Sequence, residues 1–186
     1  MANPDPLYTV AASQSGLFTT AQAEAAGYSR QLLRHHVLGG TFLRVQRGIY
    51  RFVQFPAGEH EDVVTAWLWS AQHAVLSHAS ALALHGLSDA LPASIHLTMP
   101  LGMRPRSRAP AGVRVHRADV PVQDRAWFGP VPITTVARTL EDCARDHLEP
   151  ELLRQAAQQS LRRGLTTLDA LPTVLAALAP FGGLAA

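Results

Sequence analysis

Along the chain, apolar residues return at helical spacing, then alternate with polar ones, and this succession predicts the elements. Leu7, Val10 and Ala11 lie on one helical face and the segment halts at Gly16, predicting a first helix over about residues 6–15. In "TTAQAEAAG", Thr19 with Gln22 three residues later is a capping-box pattern, and Gly27 can take the left-handed conformation that ends a helix. Ser29 caps a third helix running to about Leu38, where two glycines stop it. "TFLRVQ" and "IYRFV" are β-branched and aromatic runs flanking "RG", which predicts a hairpin with Gly48 at its turn.

"QFPAGEHED" reads as a linker, and "EDVVTAWLWSAQ" is apolar along one helical face at Val63, Val64, Trp67, Leu68 and Ala71. "SHASALALHG" is a second helix of this region, capped by Ser77 and stopped by Gly86. "SIHLTM" and "VRVHR" alternate as paired strands joined by the hairpin loop "PLGMRPRSRAPAG", and "VPITT" is a third strand. Helical spacing then resumes in "VARTLEDCARD", in "EPELLRQAAQQSLRRG" and, capped by Thr167, in "LDALPTVLAAL". The predicted fold is α+β. A winged helix-turn-helix at 1–54 precedes a mixed α/β domain at 55–186 with a small sheet and C-terminal helices.

Composition narrows this picture in two ways. A hydrophobic content of 47% is that of a folding chain, and the single cysteine, Cys143, allows neither an intrachain disulfide nor a cysteine-rich metal site. With no signal-peptide order at the start and no apolar run of about 20 residues, the expectation is a cytoplasmic protein that does not enter the membrane.

The charge is placed unevenly. Residues 1–58 hold five arginines against Asp5 and Glu24, whereas residues 118–186 hold six against eight acids. On the third helix, Leu32, Leu33 and Val37 form the expected buried stripe, leaving Arg30, Gln31, Arg34 and His35 outward. Gln and Arg make two-pronged hydrogen bonds to adenine and guanine edges, and a helix fits the major groove. The hairpin adds Arg44, Arg47 and Arg51, suited to phosphates or the minor groove. With the capping Ser29 these make the candidate double-stranded DNA contact set. A secondary basic loop, Arg104, Arg106 and Arg108, can meet phosphates or an acidic partner, or be only an exposed loop.

Metal and catalytic readings fare worse. His35 and His36 have neither a cysteine nor a nearby acid. His78 and His85 share a helical face but lie about 10 Å apart at 1.5 Å rise per residue, too far for one ion and better explained as hydrogen-bonded core histidines beside Ser80. Arg138 and Asp142, four apart on one helical face, are expected to make an internal ion pair or serve a capping role. Glu59, Glu61 and Asp62 open a helix, where acids complement the dipole. The chain has no lysine for a nuclease site, and no GxSxG, P-loop or GxGxxG motif. No catalytic residue, cofactor or metal is expected.

"GLFTTAQAEAAGYSRQLLRHHVLGGTFLRVQRGIYRF", "LSHASALALHGL", "IHLTMP", "VPITTVARTLEDCA" and "LRRGLTTLDAL", in this order across about residues 16–171, resemble AbiEi-like proteins. These are the antitoxin and transcriptional-regulator components of type IV toxin-antitoxin systems. The resemblance implies a winged-helix domain binding operator repeats upstream of its own operon, through Arg30, Gln31, Arg34, His35, Arg44 and Arg47. It also implies a second domain associated with neutralising a nucleotidyltransferase-like toxin. The expected state is a monomer or weak dimer. Two alternatives stay open: a stand-alone regulator whose second domain dimerises or senses a ligand, and an interaction module that binds no DNA.

Overall fold

Asp5 opens the N-terminal unit: its carboxylate accepts from the Leu7 N–H at 2.9 Å, and Pro6 fits the first turn of α1 (Pro6–Ala12). The computed structural model describes residues 5–87, 92–105 and 107–184. Helix α1 is shorter than its apolar spacing predicts. Ser15 (φ 58°) and Gly16 (φ 83°) turn the chain into β1 (Leu17–Thr19), which pairs antiparallel with β3. Helix α2 (Thr20–Ala25) carries the predicted capping box between Thr19 and Gln22, and Gly27 has a φ of 91°. Helix α3 (Arg30–Leu38) starts at Ser29, whose hydroxyl accepts from the Leu32 N–H at 3.1 Å.

Strands β2 (Phe42–Gln46) and β3 (Ile49–Phe52) form the predicted hairpin, with Gly48 at a φ of 79°. The sheet order is β1-β3-β2, so a helix, strand, helix, helix and hairpin succession gives the winged helix-turn-helix arrangement. Its core joins Leu7, Ala11, Phe18, Ala23, Leu33, Phe42 and Phe52. Phe42 contacts Phe18 and Phe52 edge-to-face, with centroids 5.0 and 4.7 Å away. The compact first unit, Met1–Gln72 with Gly129–Val131, also takes in α4 (Glu61–Trp69), which packs on β1 and β3.

The second unit, His73–Phe128 with Pro132–Ala186, contains a five-stranded sheet. Its strands are β4 (Val75–Leu76), β5 (Ile95–Met99), β6 (Val113–Arg117), β7 (Arg125–Phe128) and β8 (Val131–Thr134), in the order β6-β5-β4-β8-β7. β5 and β6 pair in parallel, Ile95 opposite Val113 and Met99 opposite Arg117, so the expected hairpin is a crossover. The connection over 100–112 is long enough to carry the chain back along β5, which a tight turn is not.

Helices α5 (His78–Leu84), α6 (Val136–Arg145), α7 (Pro150–Arg162) and α8 (Pro172–Leu178) bury a core that includes Leu82, Leu140, Cys143, Leu153, Ala156, Val174 and Leu178. The single helix predicted after Thr167 is a 3-10 turn at Leu168–Ala170 followed by α8, because Pro172 can start a helix but not continue one. Buried Glu141 on α6 caps α8: its Oε1 accepts from the N–H groups of Thr173 at 2.9 Å and Val174 at 3.2 Å.

Candidate nucleic-acid interface

Leu33 fixes how α3 lies. Its side chain is in the core, while Val37 and His36 are half-buried on either side of it, matching i, i+3, i+4 spacing. His36 packs on Phe42 at 4.8 Å between ring centroids and on Tyr28 at 5.6 Å. The expected stripe of Leu32, Leu33 and Val37 is therefore corrected at one position: Leu32 is 39% exposed, and His36 supplies the second flank. This rotation leaves Arg30, Gln31, Arg34, His35 and Leu38 on the outside.

The turn preceding α3 is held from below. The Tyr28 hydroxyl donates to Asp5, the residue that caps α1. Burial, then the bond and charge of Asp5, push this phenol up to about 12. α3 is thus anchored through Tyr28 and Leu33, and Ser29 spends its hydroxyl on the helix cap. Arg30 Nε lies 3.1 Å from Glu24 Oε1 of α2, with its side chain still 86% exposed. At that exposure the pair holds the guanidinium only weakly, so it can exchange for a phosphate.

The wing tip is tied to α2. Gly48 O accepts from the Thr20 N–H at 2.9 Å and from the Thr20 hydroxyl at 3.3 Å, which places exposed Arg47 beside the start of that helix. Arg44, exposed on β2, stands opposite Tyr50, and a register shift between Arg44 and Gln46 bends the strand toward the turn. Among the described residues, no carboxylate forms a salt bridge with Arg34, Arg44 or Arg47.

Arg51 is placed differently from the expectation that it contacts DNA from the wing. Its Nη1 donates to Glu61 of α4, and the side chain is 13% exposed. Local spacing could not show this pairing, because Glu61 lies in the next helix and reads as a helix-start acid. It does occupy the first turn of α4 along with Asp62.

Arg104 and Arg108 are exposed on the crossover loop of the second unit, whereas Arg106 lies outside the described residues. Arg117 anchors this loop by donating to the carbonyls of Pro100 and Met103. Elsewhere in that unit, Arg138 Nε meets both Asp142 oxygens at 2.9 and 3.0 Å, and its Nη1 reaches Asp124 at 3.0 Å. The Ser80 hydroxyl accepts from the His96 N–H at 2.9 Å, and His85 Nε2 lies 2.8 Å from the Thr134 carbonyl. His78 has different company: its ring stacks on that of His116 at 3.6 Å. Sequence spacing compared His78 with His85 on one helix, and strand alternation gave no signal that His96 and His116 meet it from two other elements.

The surface of α3 presents two-pronged donors on a helix of nine residues, about 13 Å long at 1.5 Å per residue. Gln31 and Arg34 can bond base edges, and Arg44 and Arg47 can neutralise phosphates. Residues 5–53 match the family model described as "Transcriptional regulator, AbiEi antitoxin". No curated protein matches the chain. A solved structure, the crystal structure of the RV2827C protein from Mycobacterium tuberculosis, is similar with a TM-score of 0.48 and 16% identity, over 97% of this chain and 77% of that one. That likeness is too distant to speak to function. Over residues 5–53, the segment that carries α3 and the wing, the chain is similar to the AbiEi-like transcriptional regulators.

Proposed function

We propose that this protein is a sequence-specific DNA-binding regulator that represses its own operon and has no catalytic role. One observation carries the reading: an outward α3 face with Gln31, Arg34 and His35, fixed from beneath by Leu33, stands in the same unit as a wing whose Arg44 and Arg47 are exposed. A major-groove helix supplies sequence preference, and wing cations supply affinity that falls with salt. The match of residues 5–53 to a family described as transcriptional regulators supports the same reading.

Within it, the second unit serves as an antitoxin surface for a nucleotidyltransferase-like toxin, and the protein acts as a monomer or weak dimer in the cytoplasm. Among the described residues no helix is long and apolar enough to cross a membrane. A footprint on the DNA upstream of the coding sequence tests the regulator reading. Protection of one or more repeats is expected, and their centre-to-centre spacing reports whether copies pair on DNA. Absence of protection at low salt contradicts it and favours a protein-interaction module.

A further inference from the structure

Three histidines from three elements of the second unit converge at one face of its sheet. His96 on β5 and His116 on β6 occupy alternate positions of parallel-paired strands, His96 opposite Arg114 and Thr98 opposite His116. Their side chains meet with His96 Nδ1 3.0 Å from His116 Nε2. His78, the first residue of α5, brings the third ring, and it does so with a φ of 52°. That left-handed conformation costs a non-glycine residue roughly 1–2 kcal/mol, and such outliers cluster at functional sites.

One ring nitrogen from each histidine lies within 4.8 Å of the other two. We propose that His78, His96 and His116 are the protein ligands of a first-row divalent metal ion, zinc or a close relative. Imidazole suits these ions, and bonds of about 2.0–2.1 Å at tetrahedral angles separate ligand nitrogens by about 3.4 Å, so small side-chain shifts from a set already within 4.8 Å would meet it. The parallel stack of His78 on His116, 12° between ring planes, cannot hold an ion in both planes, so binding turns one ring. His116 is the less buried of the two and has the cavity beside it to turn into.

The surroundings fit the same role. Ser77 Oγ lies 2.9 Å from His78 Nδ1 and accepts from the Thr98 hydroxyl at 2.7 Å. It can also accept from Nδ1–H, which leaves Nε2 of His78 as the ligand atom, the arrangement by which neighbouring groups orient metal-binding histidines. A cavity of about 270 Å³, lined in part by His78, His116 and Asp146, gives an ion a path in and a fourth position for water or the Asp146 carboxylate. Asp146 is now held by Arg114 at 3.1 Å. Burial lowers the affinity of all three rings for protons, which keeps them in the neutral form that ligates.

The test uses the full chain, freed of metal with a chelator and titrated with Co²⁺ alone. The expected result is one equivalent bound with the visible absorption of a tetrahedral site, displaced by Zn²⁺. His116→Ala weakens binding at least about tenfold, and replacing His35 and His36 with Ala leaves it unchanged. No stoichiometric site, or one that survives His116→Ala and vanishes with the N-terminal pair, overturns the assignment. If His116→Ala fails to fold, the histidine ring resonances of the unmodified chain decide. Shifts on adding Zn²⁺ confined to three rings support the site, and shifts absent or spread over all rings contradict it. DNA binding rests on α3 and the wing, so failure here leaves the regulator reading standing.

Discussion

The Arg51 guanidinium donates to the Glu61 carboxylate, joining the second strand of the wing to the helix that follows, and both side chains are largely withdrawn from solvent. A charge so engaged serves the fold. Arg51→Ala is expected to lower stability by about 1–3 kcal/mol in denaturant unfolding, because a partly buried carboxylate loses its donor. The slope of log affinity for DNA against log salt stays at its original value. A slope reduced by about 1 would return Arg51 to the DNA contact set.

Gly16 combines a φ of +83° with a Cβ position 2.3 Å from Phe55 Cβ, so alanine meets both backbone strain and a clash. Gly16→Ala is expected to cost about 2–4 kcal/mol. A fall in the denaturant midpoint at constant m checks it, and an unchanged midpoint contradicts the turn described between α1 and β1.

Cys143 is buried between α6 and its neighbours, and burial first, then the charges of Asp142 and Asp146, push its thiol up to about 12. The thiolate is the reactive form, so the folded chain should resist a thiol reagent at pH 8 and react fully once denatured. Rapid labelling without denaturant contradicts the packing of α6, α7 and α8.

His85 predicts an acid sensitivity. Its Nε2 donates to the Thr134 carbonyl, and burial lowers the pKa of the ring despite that bond. The unfolded chain therefore takes up a proton first, near the usual pH of about 6.5. The contribution of His85 is complete above that pH and is lost as pH falls from it toward the lowered folded value. The unfolding midpoint should drop between pH 7 and pH 5, and His85→Gln should shrink the drop. An equal drop in the variant removes His85 as a cause.

Short-range signals made much of the N-terminal unit legible. The Thr19–Gln22 box, the Ser29 cap and the glycines at 27 and 48 each act within four residues, and each performs its predicted local role. Strand β1 was hidden because three residues carry no periodicity, and it exists through pairing with β3, some thirty residues on. Alternation marked β5 and β6 as strands but holds no information on direction, and their parallel pairing follows from the long crossover. On α3, Leu32 ranks above His36 in hydrophobicity, yet Leu33 sets the rotation and aromatic contacts with Phe42 and Tyr28 draw His36 inward. The two features unforeseen in the charge pattern, Arg51 with Glu61 and the meeting of His78, His96 and His116, are tertiary contacts between separate elements.

The central claim is that α3 reads bases while the wing holds the backbone. Fluorescence anisotropy with the upstream DNA and a random duplex of equal length, for the unmodified chain, Arg34→Ala and Arg44→Ala across a salt series, tests it most directly. The account predicts that Arg34→Ala loses about 1–3 kcal/mol on the upstream site and little on the random duplex. It predicts that Arg44→Ala weakens both alike and lowers the salt slope by about 1. Equal affinity of the unmodified chain for the two duplexes, untouched by Arg34→Ala, would contradict it.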